Sequence, residues 1–225
     1  MTLKLPNILI DITGKALQYG EYVLVVLKHF VMISVPFTER NIYSDGPHSL
    51  CVYEKEGTCM AVTDKGFGAY DVRGIYPDEV NEELAYRIGR SFPALFGAKK
   101  VAVGHDIRLS GKSLRDALAK GLTEAGCDVV DIGQCGTEMI YFTTAHLGLG
   151  GGIMITASHN PKQYNGMKFV RAESRPISSD TGLKDIAAMA VGETYPAPAA
   201  VPGKIAQVDI LDDYVNHILS YVDVR

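Results

Sequence analysis

Clustered basic residues are missing from this chain. Its 22 Lys and Arg are outnumbered by 26 Asp and Glu, giving a formal net charge of −4, so it lacks the electrostatic footprint that DNA or RNA binding demands. Cysteine is scarce as well. Cys51, Cys59, Cys127 and Cys135 are widely spaced and form no C-x-x-C pair, which excludes a small disulfide scaffold and leaves no evident zinc site. They read as reduced thiols, with Cys127 a buried structural one at the head of an apolar run. A bilayer-length apolar segment of ~20 residues is also absent: the stretch from Tyr22 to Phe37 is interrupted by Lys28 and His29. Asp11 and Glu21 precede that stretch and no small-residue cleavage pattern follows it, which argues against a secretory signal. The expectation is a cytoplasmic protein with neither a membrane nor a nucleic-acid partner.

What is present is ordinary material for a buried core: 47% hydrophobic and 21% charged residues. At 225 residues the chain has room for one large domain, or for one ordinary domain with extra segments. From Asp78 the pattern turns helical. Leu84, Ile88 and Phe92 recur every four residues behind a cap at Asp78 or Asn81. Val101–Val103 reads as a short buried strand, Ser110–Ala125 as a helix with Leu114, Leu118 and Leu122 on one face and Gly126 at its end, and Val129–Ile132 as a second strand. Strand, helix and strand make a βαβ unit, which favours a parallel pair. A helix from Glu138 to Leu147 follows. Gly148, Gly150, Gly151 and Gly152 precede a strand instead of following one, so they do not match a nucleotide-binding loop and read as a flexible connection. After a strand at Phe169–Val170 and a helix around Leu183–Ala190, the proline-rich run from Tyr195 to Gly203 reads as an extended linker. A last helix carries Ile210, Tyr214, Ile218 and Tyr221, with Asp209 near its start.

The chemistry concentrates in Thr156-Ala157-Ser158-His159-Asn160-Pro161, followed by Tyr164-Asn165-Gly166-Met167-Lys168. Ile153-Met154-Ile155 comes immediately before, which places the Ser158 hydroxyl where a buried strand gives way to a loop. Ser, Asn and Pro favour turns for backbone reasons alone, so the hexapeptide has a structural reading beside the functional one. A neutral serine needs activation by a base, a charged neighbour or phosphorylation, and His159 and Lys168 are the local candidates.

The run from Thr156 to Lys168 resembles the phosphoserine loop of the phosphohexomutases. Ala69-Tyr70-Asp71-Val72-Arg73-Gly74, Gly104-His105-Asp106-Ile107-Arg108 and Gly136-Thr137-Glu138 leading into Ile140-Tyr141-Phe142 agree with that family in its order. The Tyr-Asp-x-Arg-Gly opening is most similar to bacterial phosphomannomutases. The resemblance implies an α/β fold, specifically a three-layer α/β/α domain with a mostly parallel mixed sheet, preceded by an atypical N-terminal segment. It divides the chain into an extension (1–66, with Met60 a possible natural start), the family's first domain (67–195), and a linker with the first helix of a further domain (196–225).

By the same resemblance, Ser158 carries the phosphoryl group and ligates Mg²⁺ through its phosphate. Lys168 serves as general acid or base with His159 assisting, and Tyr70, Arg73, Asp106, Arg108 and Asn160 bind the substrate. The implied ligands are a hexose phosphate and a hexose 1,6-bisphosphate activator. The family's Asp-Gly-Asp-x-Asp-Arg metal loop, Gly-Glu-x-Ser sugar loop and C-terminal phosphate-binding domain have no counterpart in the 225 residues. A chain with only the first domain is expected to be nearly inactive as a mutase. The alternative is a non-catalytic phosphosugar-binding or self-associating module.

Overall fold

The structure, a computed structural model, describes residues 62–222 and, within residues 1–61, the backbone of seven short strands. The chain divides into two compact units, Met1–Ala61 and Val62–Arg225. In the first unit, Thr2–Leu5 pairs with Ile8–Asp11, Leu17–Tyr19 with Tyr22–Val26, Tyr22–Val26 with Met32–Pro36, and Asn41–Ser44 with Leu50–Tyr53, all antiparallel. The expectation of a start at Met60 lies outside the described residues.

The second unit is built around a 7-stranded sheet. Its elements, in chain order, are β1 (Val72–Ile75), α1 (Glu82–Phe96), β2 (Lys100–His105), α2 (Gly111–Glu124), β3 (Asp128–Gln134), α3 (Thr137–His146), β4 (Gly151–Ile155), β5 (Tyr164–Arg171), β6 (Arg175–Pro176), α4 (Lys184–Val191), β7 (Ile205–Gln207) and α5 (Leu211–Leu219). The strand order is β6-β5-β4-β2-β3-β7, with β1 also on β5. β4, β2, β3 and β7 are mutually parallel. β5 is antiparallel to β4, β1 and β6, so β5 alone runs against the other six strands.

Alternation along the strands divides the core between the sheet's two faces. Val101, Val103, Val129, Ile153 and Ile155 point to one side and join Leu84, Ile88 and Phe92 of α1, Leu114, Leu118 and Leu122 of α2, and Ile186 and Ala190 of α4. Ala102, Val130 and Met154 point to the other, where Ile140 of α3 covers them. Both faces are thus covered, as the largely parallel arrangement requires. Helix α1 starts where Asn81 Oδ1 accepts the backbone N–H of Leu84 at 2.9 Å. The α2 turn ends with Gly126 at φ 78°, the left-handed conformation that glycine adopts without a Cβ clash. Among the described residues no helix is long and apolar enough to cross a membrane. Cys127 and Cys135 are free thiols, and burial pushes each up to about 12. The side chains of Cys51 and Cys59 are not among those described.

Two expectations change. The glycine run is no flexible connection: Gly151 and Gly152 lie buried inside β4. A Cβ on Gly151 would stand 2.7 Å from the Phe92 ring, and one on Gly152 would stand 2.3 Å from Thr144 Oγ1. Successive residues of a strand face opposite ways, so the pair lets α1 and α3 approach from opposite sides. The segment from Tyr195 to Gly203 is extended but not free. Arg90 donates to the Pro196 carbonyl at 2.6 Å, and the N–H groups of Ala199 and Gly203 donate to Glu124 and Thr123 carbonyls at 2.8 Å. The strap leads into β7, an edge strand that periodicity had not marked. Its three residues are all exposed, so they carry no apolar alternation.

Gly152→Ala should destabilise the domain by about 1–3 kcal/mol, the usual cost of overpacking a closed core. Urea unfolding followed by circular dichroism checks this, with the midpoint falling and the denaturant slope unchanged.

Candidate active site

The candidate site is the hairpin between β4 and β5. Its register pairs Ile155 with Met167 and Met154 with Lys168, and the Thr156 N–H continues the ladder to the Gly166 carbonyl at 2.9 Å. Residues 157–163 then form the tip at the carboxyl end of β4, the end where open α/β sheets place their ligands. Ser158 is exposed there and has φ 55°. That left-handed conformation is uncommon for a residue with a Cβ and persists where surrounding contacts hold it.

The contacts are explicit. Asp106, just beyond β2, accepts from Thr156 Oγ1 at 2.7 Å through Oδ2, and Thr156 Oγ1 in turn accepts the Ser158 N–H at 2.8 Å. Arg108 Nε donates to Asp106 Oδ2 at 3.2 Å. Its Nη1 donates to the carbonyls of Pro161 (2.8 Å) and Tyr164 (3.0 Å), and its Nη2 to those of Ser158 (3.0 Å) and Asn160 (2.7 Å). A guanidinium has five N–H donors, and all five are engaged. Arg108 therefore shapes the loop from beneath, and a direct hydrogen bond to a substrate would require breaking one of these.

A second group of residues closes the site from β1 and β5. Arg73 donates through Nη1 to Asn160 Oδ1 at 2.7 Å and through Nε to Asp71 Oδ2 at 2.8 Å. Lys168 Nζ lies 3.6 Å from the same Asp71 oxygen. The pairing of Val72 with Met167 is what sets Asp71 beside Lys168. Ser158 Oγ and His159 Nδ1 are 3.4 Å apart, a long contact within a single turn. Tyr70 stands 75% exposed next to Asp71 in the chain. The expected residues thus fall into three connected sets, Asp106–Arg108–loop, Asn160–Arg73–(Asp71)–Lys168 and Ser158–His159, with Tyr70 exposed at the side.

Two residues inside the recognised motifs were given no role from sequence: Asp71 and Thr156. Asp71 shares a strand direction with Arg73 at a spacing of two residues, which puts both on one face. That signal was available. Its contact with Lys168 depends on the β1–β5 pairing, which spacing along the chain does not reveal.

A short α/β/α domain with a serine loop at the carboxyl end of its central strands, flanked by arginine and lysine, defines the class. The family description "Phosphoglucomutase/phosphomannomutase, alpha/beta/alpha domain I" matches residues 64–195, and the chain belongs to this family. It is 52% identical to an Escherichia coli phosphomannomutase over 159 residues, which is 70% of this chain and 35% of that protein. It is also 52% identical to a Klebsiella pneumoniae phosphomannomutase sequence over 151 residues, 67% of this chain and 96% of the other. Among solved structures, a phosphoglucomutase/phosphomannomutase family protein from Burkholderia thailandensis superposes with a TM-score of 0.65 at 33% identity, over 73% of this chain and 37% of that one. The chain thus spans about a third of the length of the Escherichia coli relative.

Arg108→Lys should loosen the loop, because one ammonium cannot reproduce the planar fork. Hydrogen exchange at the amides of Asn160 and Tyr164, both bonded within the loop, is expected to accelerate about tenfold or more, as the loss of hydrogen bonds from a charged donor implies.

Proposed function

We propose that this chain is the phosphoserine-bearing portion of a phosphomannomutase-type enzyme that interconverts mannose 6-phosphate and mannose 1-phosphate through a hexose 1,6-bisphosphate. The observation that carries the reading is the exposed Ser158, held at φ 55° on a loop whose Asn160 is bonded to Arg73. In this reaction the bond between Ser158 Oγ and phosphorus breaks as a sugar hydroxyl oxygen bonds to phosphorus; the hydroxyl proton passes to a base, and the departing Ser158 Oγ takes up a proton to leave as the free hydroxyl. Lys168 exchanges the sugar proton as general acid or base, and His159 assists. In the return step the roles reverse, so that the other phosphoryl group of the bisphosphate returns to Ser158 Oγ. Arg73 and Tyr70 meet the substrate, while Asn160 orients Arg73. Asp106 and Arg108 support the reaction by holding the loop. Phosphoryl transfer depends mainly on positioning and on cations opposite the developing charge.

Mg²⁺ fits only in part. Among the described residues no three His, Cys, Asp or Glu side chains converge on a point that would hold a metal ion. The serine phosphate is the one ligand this reading supplies, so carboxylates from outside the described residues would complete the ion's shell, and the ion would offset charge on the transferring phosphoryl group. Orientation of the sugar, a factor worth up to ~7–11 kcal/mol in favourable cases, also needs protein beyond this third of the enzyme. The chain alone is expected to be nearly inactive. The free thiols at Cys127 and Cys135 suit a reducing, cytoplasmic setting.

A second reading is a self-associating module. Leu211, Val215, Ile218 and Leu219 of α5 are 43–53% exposed, an apolar surface of the kind that marks contacts. It predicts a chain that sediments as an oligomer.

The test is a chimera in which residues 64–222 replace the matched third of the Escherichia coli phosphomannomutase, assayed with Mg²⁺, mannose 1-phosphate and a hexose 1,6-bisphosphate. Turnover abolished by Ser158→Ala and lowered ~10²–10⁴-fold by Lys168→Ala is expected. A folded chimera without turnover overturns the mutase reading.

A further inference from the structure

The strongest unassigned feature is the carboxylate of Asp71. Its side chain is 16% exposed, and a single oxygen, Oδ2, serves both Arg73 Nε at 2.8 Å and Lys168 Nζ at 3.6 Å. Arg73 continues to Asn160 on the serine loop at 2.7 Å. A chain of contacts thus runs from β5 through the segment before β1 to the hairpin tip, with Asp71 at its centre. An acidic group beside a site that receives phosphate opposes the ligand's charge, so its presence calls for another role.

We propose that Asp71 is a positioning residue. One carboxylate oxygen holds the Lys168 ammonium and the Arg73 guanidinium together, coupling the lysine's position to the arginine's orientation on the loop. The proposal rests on the mutase reading only for what Lys168 does with its proton; the coupling itself is a property of this chain. Geometry gives it a direction. Nε of Arg73 is occupied by Asp71, which turns the guanidinium so that Nη1 reaches Asn160 and leaves the remaining Nη2 edge for an anion. Lys168 is confined by the same carboxylate to the face it shares with Met154, its cross-strand partner. Asp71 and Arg73 from the β1 segment, Lys168 from β5 and Tyr141 from α3 meet around this point. The Tyr141 phenol is pushed up by burial and then by the Asp71 carboxylate, which sets α3 against the same charge.

Removing the carboxylate would free the Lys168 side chain from the partner that holds it and open its nitrogen to reagent. The test reads that directly. The phosphatase-treated chain is labelled with acetic anhydride across a pH series, and acetylation of Lys168 is quantified by peptide mass spectrometry against Lys112 as an internal reference. Asp71→Asn, nearly isosteric, should label at Lys168 ~2–5-fold faster at a given pH, the effect of losing a partly solvated ion pair worth up to ~1 kcal/mol. Asp71→Glu, which restores the charge, should return the profile toward wild type. A Lys168 profile unmoved by Asp71→Asn overturns the proposal, as does a shift that Asp71→Glu reproduces in full, since loss of packing would then be the cause. If the asparagine variant does not fold, Asp71→Ser takes its place: faster labelling at Lys168 supports the link, and an unmoved profile overturns it. No turnover enters this measurement, so an inactive chimera would remove the mutase reading without touching the link between Asp71 and Lys168.

Discussion

The Ser158 loop depends on one guanidinium. Arg108 lies on the loop after β2, yet its four Nη hydrogens reach four carbonyls in the turn between β4 and β5, and its Nε meets Asp106. Carbonyl oxygens in a turn usually find water. Here they converge on a cation, and that convergence is compatible with Ser158 in a left-handed conformation. The carboxylate of Asp106 completes the arrangement by accepting from Thr156, which accepts the Ser158 amide. The serine is therefore held through its backbone, leaving its hydroxyl exposed.

This support requires β2 and β4 to be neighbours in the sheet, with their carboxyl ends level. The parallel pairing of Gly151–Ile155 with Val101–His105 provides that, and the two helix layers keep it in place. Glycines at 151 and 152 allow the layers to close on β4 from both sides, so the strand that delivers the serine is among the most tightly enclosed parts of the domain. Rigidity beneath the site and exposure at its tip are thus two ends of one strand.

Much of this was legible in the residues. The stripes Leu84–Ile88–Phe92 and Leu114–Leu118–Leu122 announced α1 and α2, and all six side chains are fully buried. The short apolar runs at Val101 and Val129 announced parallel strands, because a helix of suitable length lies between them. The four motifs announced the family through their order. What stayed hidden depended on contacts distant along the chain. Asp106 and Arg108 read as a polar pair at a strand end, since nothing local shows a guanidinium facing a turn some fifty residues away. The contact of Asp71 with Lys168 was silent because strand pairing sets it. β7 was missed because an exposed edge strand has no apolar alternation, and the glycine run was misread because close packing of two helices leaves no mark in sequence except the small residue itself.

The opposed direction of β5 carries a further consequence. Because β4 and β5 form a hairpin, Ser158 and Lys168 lie on a single ribbon, and the turn between them sets which side of the sheet Lys168 faces. A slip of β5 by one residue against β4 would turn the lysine into the apolar layer beneath α1. A change of one residue in the turn, absorbed by sliding β5 along β4, inverts that alternation, whereas a change of two preserves it. Drift at this site is constrained by parity as well as by chemistry.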